Sequence, residues 1–102
     1  MRKVYISGKI TGIEETAETL FKEAEKEVID MGFIPVNPFD LNHDHDESWS
    51  SYMKEDIKAL CDCDGIYMMT NWKDSRGAII EHDIATHLEL DILHQHKMMT
   101  HE

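Results

Sequence analysis

Two acidic side chains occupy positions where an amphipathic helix should be apolar. The stretch "DSRGAIIEHDIA" (74–85) reads as the start of a helix, and on a helical wheel Glu81 falls among Ala78, Ile84, Ala85 and Leu88. His82, Asp83, Thr86 and Glu89 take the opposite side, while Gly77, Ala78 and Ala85 leave a hollow beside the carboxylate. Residues 49–60 repeat the pattern: Asp56 is flanked by Tyr52, Met53 and Leu60, and Lys54, Glu55 and Lys58 point away. An ionised carboxylate buried without partners costs several kcal/mol. Two of them on adjacent inward faces point to an acidic pocket in an apolar wall. There the two pKa values can be driven apart. The alternative is structural, with each carboxylate accepting backbone hydrogen bonds from a loop.

The elements that must position this pair can be traced along the chain. "KVYIS" (3–7) is a β-rich run followed by the glycine-bracketed loop "GKITG". From 14 to 31 a helix is predicted, with Ala17, Leu20, Phe21, Ala24 and Val28 at three- and four-residue steps and Gly32 closing it. "FIPV" is a second strand, followed by a loop through "NHDHDES"; 49–60 is helical; "DGIYMMT" (64–70) is a third strand. After the helix of Glu81, "LDILHQH" (90–96) is a fourth strand, unusually polar for a buried one. Strands alternating with helices predict an α/β fold, a three-layer flavodoxin-like (Rossmann-like) parallel sheet of about four strands in the order 2-1-3-4. Ligands of such sheets bind beyond the carboxyl ends of the strands where strand order reverses. Here that crevice lies between "SGKITG" and "NWKDSRG", where the Glu81 helix begins.

Composition narrows the class of function. The 102 residues, 41% hydrophobic, suit one domain spanning 1–102. With 21 acidic against 10 basic residues and a formal charge of −11, binding to a nucleic acid polymer is not expected. A small anion is not excluded, because a helix N-terminus with one or two cations suffices. No stretch is long enough to span a membrane and no signal-peptide core is visible, so a cytoplasmic protein is expected. Cys61 and Cys63 read as reduced thiols. No cofactor is expected, and no metal: "HDHD" (43–46) has the composition of a metal loop, but adjacent positions rarely converge on one ion. His94, His96 and His101 lie in a polar tail, "SGKIT" lacks the upstream glycine of a P-loop, Met68, Met69 and Trp72 read as core and crevice wall, and Trp49 reads as core, with stacking on a nucleobase the alternative for either tryptophan.

These residues resemble the nucleoside 2-deoxyribosyltransferase superfamily, including its 2'-deoxynucleoside 5'-monophosphate N-glycosidase branch and short, mostly uncharacterised bacterial and phage relatives. "VYISGKITG" resembles its first motif, with Tyr5, Gly8, Ile10 and Gly12 at matching places. Asp56 in "KEDIKAL" matches its helix-borne Asp, and Ser75, Gly77, Glu81 and Ala85 match its Ser-x-Gly-x-x-x-Glu signature and the small residue beyond. The resemblance covers about residues 3 to 95. It implies a retaining reaction in which Glu81 attacks the anomeric carbon, Asp56 protonates or hydrogen-bonds the departing base, a general-acid role that favours a raised pKa, and Tyr5 holds Glu81 in line. Substrate contacts would come from Gly8, Lys9, Ile10, Gly12, Ser75, Arg76 and Gly77, with Ser75 and its neighbours, opposite Lys9, suited to a 5'-phosphate. Ser75 could equally be a plain N-cap. The implied substrate is a small nucleotide or nucleoside and the implied assembly a homodimer or higher homo-oligomer; Ile79, outward on its helix, is a candidate for the interface. His82 and Asp83 depart from the family pattern, and the segment with which relatives complete a neighbouring subunit's site is not seen. A nucleotide-binding module without turnover is therefore the competing expectation.

Overall fold

The computed structural model describes residues 2–41 and 48–96. Val4, Tyr5, Ile6 and Ser7 of strand Lys3–Ser7 (β1) are all buried, the mark of a strand covered on both faces of a parallel sheet. It pairs in parallel with Ile34–Val36 (β2) on one side and Gly65–Met68 (β3) on the other, and β3 pairs in parallel with Asp91–His94 (β4). The resulting order β2-β1-β3-β4 is the one the alternation of elements predicts. β4 is polar because it is an edge: Asp91 and His94 are exposed, and Ile92 and Leu93 only half-buried.

Side chains of β1 alternate between two cores. Val4 and Ile6, with Tyr67 and Met69, pack against Phe21, Ala24 and Val28 of helix Glu14–Asp30 (α1). Tyr5, Ile66 and Met68 pack on the other face against Leu60 of helix Trp49–Cys61 (α2) and Ala78 and Ala85 of helix Arg76–His87 (α3). α1 ends before Gly32, whose φ of +90° suits a residue without Cβ. The inward residues of α2 are Met53, Asp56 and Leu60, and those of α3 are Ala78, Glu81 and Ala85. Both helices thus place one carboxylate between two apolar turns, at the same three- then four-residue spacing.

Some boundaries differ from the sequence reading. α3 starts at Arg76, because Trp72–Asp74 forms a 3-10 turn and Ser75 then caps the helix. Leu88, expected beside Glu81, is 49% exposed. The helix stops at His87, and Glu89 takes a φ of +61°, so the wheel does not extend to Leu88. His82 is half-buried rather than fully outward, its ring stacked on Trp72 at 4.4 Å between centroids. "HDHD" (43–46) and His101 lie outside the described residues. Among the described residues no helix is long and apolar enough to cross a membrane.

Candidate functional site

In a strand, residues two apart share a face, so Tyr5 and Ser7 both look toward α3. Glu81 meets them there. The Tyr5 hydroxyl donates to Glu81 Oε2 at 2.8 Å, and the Ser7 hydroxyl donates to Oε1 at 2.6 Å. Glu81 is 5% exposed and Asp56, from α2, 8% exposed. Burial pushes the Glu81 carboxyl up from its ordinary 4.5 to about 7; the Ser7 and Tyr5 hydrogen bonds pull it down, and the nearby charge of Asp56 pushes it up. Desolvation outweighs the two donors, so near neutrality Glu81 exists both as acid and as carboxylate. The Tyr5 hydroxyl is raised well above its ordinary value, first by burial and then by the charges of Glu81 and Asp56, so it stays protonated as a donor.

A cavity of about 850 Å³ opens over this carboxylate, inside the range of ~300–1,000 Å³ common for small-molecule sites. Tyr5, Asp56 and Glu81 line it, together with Gly8, Lys9 and Ile10 from the loop after β1 and Ser75, Arg76 and Gly77 from the start of α3. Of the sequence-predicted site residues, Gly12 alone is not in the wall. It sits at the exposed turn into α1 with a φ of +93°, its N–H donating to Glu14 Oε1 at 3.1 Å. The two loops are tied together where strand order reverses, the Lys9 N–H donating to Asn71 Oδ1 at 3.0 Å. Gly8 leaves no room for a side chain, since a Cβ there would stand 2.5 Å from Met69 Sδ. At Gly77 a Cβ would come within 3.0 Å of Met53 Sδ, so glycine lets α3 start close against α2.

The wall of the cavity carries charge of both signs. Lys9 and Arg76 face Glu14, Asp56, Asp74 and Glu81 around the wall. Ser75 is the N-cap of α3, its hydroxyl accepting from the Ala78 N–H at 3.1 Å, which leaves its own hydrogen available for a ligand. The Arg76 guanidinium lies over the Trp49 ring, 4.1 Å from its centroid. Trp49, expected in the core, is 39% exposed and forms part of the wall, with the Arg76 guanidinium over its ring.

Several wall residues were not anticipated. Pro38 and Phe39 sit on a 3-10 turn after β2, fixed by Asn37, whose side chain accepts from the Phe39 N–H at 3.0 Å. "NPFD" is a turn signature, but a turn does not reveal which way its apolar residues face. Ser7 was legible in principle as the residue two beyond Tyr5. Trp72 packs on the core near Ile84 and Ile92 and, with Lys73 and His94, borders a smaller depression of about 280 Å³. Cys61 is exposed and Cys63 buried, both unbridged. Among the described residues no three His, Cys, Asp or Glu side chains converge as a metal site would require.

A parallel three-layer α/β sheet with two inward acids at its strand-order reversal defines the class. The profile of a family described as a domain of unknown function, DUF4406, matches residues 2–94, and the chain belongs to that family. No curated protein matches it. Among solved structures it is similar to a 2-desoxiribosyltransferase from Leishmania mexicana, with a TM-score of 0.69 and 16% identity. The match covers 92% of this chain and 63% of that one, so this chain spans less than two thirds of the other's length. At this identity the likeness is one of fold.

Proposed function

We propose that the protein cleaves the N-glycosidic bond of a small nucleotide or nucleoside through a glycosyl ester on Glu81. The observation that carries this reading is the Glu81 carboxylate, buried at the cavity and held at both oxygens, with Asp56 in the same wall. In the first step a Glu81 oxygen bonds to C1' of the sugar. The C1'–N bond breaks, its electron pair leaves with the base, and Asp56 protonates that base. Water or a second base then attacks C1', the ester electron pair returns to Glu81, and the attacking group gives its proton to Asp56. Gly8 and Ile10 would frame the sugar side, and Ser75, Arg76 and Gly77 at the N-terminus of α3, with Lys9, would receive a 5'-phosphate; Gly12, outside the wall, takes no substrate contact. The fold likeness to a desoxiribosyltransferase supports the reading. A second copy of the chain is the proposed partner, with Ile79, 46% exposed on α3, at the contact. Sedimentation of a clean 12-kDa species would end that part.

The test is incubation with a panel of deoxynucleoside monophosphates and nucleosides, watching for free base. Release that vanishes in Glu81→Ala supports hydrolysis or transfer; absence of release at every concentration rejects it. One observation favours a second reading, a binding module without turnover: with its pKa at about 7, Glu81 is in part a neutral acid, which can hydrogen-bond a ligand but cannot attack it. Saturable binding with no release points there.

A further inference from the structure

Ser7 is the one member of the carboxylate cluster to which the acid pair gives no task. It is 1% exposed, and it stands behind the cavity wall, whereas Tyr5 forms part of that wall. Its hydroxyl reaches Oε1 at 2.6 Å while that of Tyr5 reaches Oε2 at 2.8 Å. A carboxylate held this way cannot rotate about its Cγ–Cδ bond without giving up a hydrogen bond, so its two oxygens are no longer equivalent.

We infer that Ser7 is a positioning residue for Glu81, fixing Oε1 on the sheet side so that Oε2, beside Tyr5, is the oxygen that meets the substrate. The inference rests on the glycosidic reading and deepens it. When Oε2 bonds to C1', the C1'–N electron pair leaves with the base, which takes its proton from Asp56. Oε2 becomes a bridging ester oxygen and a poor acceptor, but Oε1 becomes the ester carbonyl and keeps the Ser7 hydrogen bond. When water displaces the ester, the C1'–Oε2 electron pair returns to the carboxylate, and the water's proton passes to Asp56. A donor on Oε1 stabilises that departing charge. Ser7 therefore assists breakdown of the ester more than its formation.

The measurement is a carbon NMR titration of Glu81 in protein labelled at the glutamate carboxyl carbons. Tyr5 from β1 and Asp56 from α2 are the titratable groups acting on Glu81, so Tyr5→Phe and Asp56→Asn are titrated alongside. Ser7→Ala is expected to raise the Glu81 midpoint by about one pH unit, the loss of one hydrogen bond to a charged group. Ser7→Cys, similar in size but a weaker donor, should fall between; it carries the test alone if the alanine variant does not fold. With a deoxynucleoside monophosphate, intact-mass analysis of quenched Ser7→Ala should show accumulated glycosyl-enzyme. A midpoint unmoved within about 0.3 in both variants overturns the inference. A moved midpoint with no base released by any version leaves the positioning intact and removes the glycosidic reading. Base release with an unmoved midpoint does the reverse.

Discussion

Replacing Glu81 by glutamine should make the protein more stable in mild alkali, because the native carboxylate is held where burial disfavours its charge. The folded group titrates at about 7 against an ordinary 4.5. Between those values the folded state binds the extra proton. Its stabilising contribution is complete below about pH 4.5 and is lost as pH rises through about 7. At about 1.4 kcal/mol per unit, the full difference is about 3 kcal/mol, of which roughly 2–3 kcal/mol falls between about pH 5 and pH 8.5. Glutamine has the same shape and no charge to desolvate, but it must share the Tyr5 and Ser7 hydroxyls with an amide nitrogen. That change costs up to about 1 kcal/mol at every pH. Urea unfolding of both proteins across this range reads Glu81 together with its coupling to Asp56 and Tyr5, the remaining titrating groups being common to both. At about pH 5 the variant should match the wild type or fall up to about 1 kcal/mol below it; at about pH 8.5 it should have gained roughly 2–3 kcal/mol relative to it. A stability difference that stays constant within about 0.5 kcal/mol from end to end would refute the claim that desolvation governs this carboxylate.

Three further outcomes follow from the same geometry. If the glycosidic reading holds, kcat/KM for base release should rise with pH through about 7 as Glu81 ionises, and Tyr5→Phe should displace that limb upward; a pH–rate profile decides it. Gly8→Ala places a Cβ 2.5 Å from Met69 Sδ and 2.9 Å from Met69 Cβ, so urea melts should show a loss of about 1–3 kcal/mol. Arg76→Met keeps a side chain over Trp49 but removes the cation, so KM for a monophosphate should rise about tenfold while that for the free nucleoside barely changes; equal effects on both would exclude phosphate recognition.

The sheet was legible because strands alternate with helices along the chain, and the inward acids because helical periodicity exposes them. Short β-rich runs mark strands buried on both faces, and a period of three to four exposes Asp56 and Glu81 as the polar members of apolar stripes. Leu88 was misplaced because a wheel does not show where a helix ends, and Glu89 turns the chain there. The Phe39 wall and the Trp49–Arg76 contact depend on how a turn and two helix ends meet in space, which local pattern does not encode. Ser7 lay between these cases. Its face was readable from Tyr5, but the distance to Glu81 emerged only once α3 was docked on β1.

The setting of β1 also bears on how the cleft can fail. Its parallel neighbours on either flank, β2 and β3, lock its register, and both hydroxyls that grip Glu81 ride on this central strand. Slippage by a single residue would swing them to the opposite layer, and such slippage requires the whole ladder to come apart. The grip therefore has no half-open state of its own: amide exchange along 4–7 should proceed only through global opening, and chemistry and architecture should be abolished in one cooperative event.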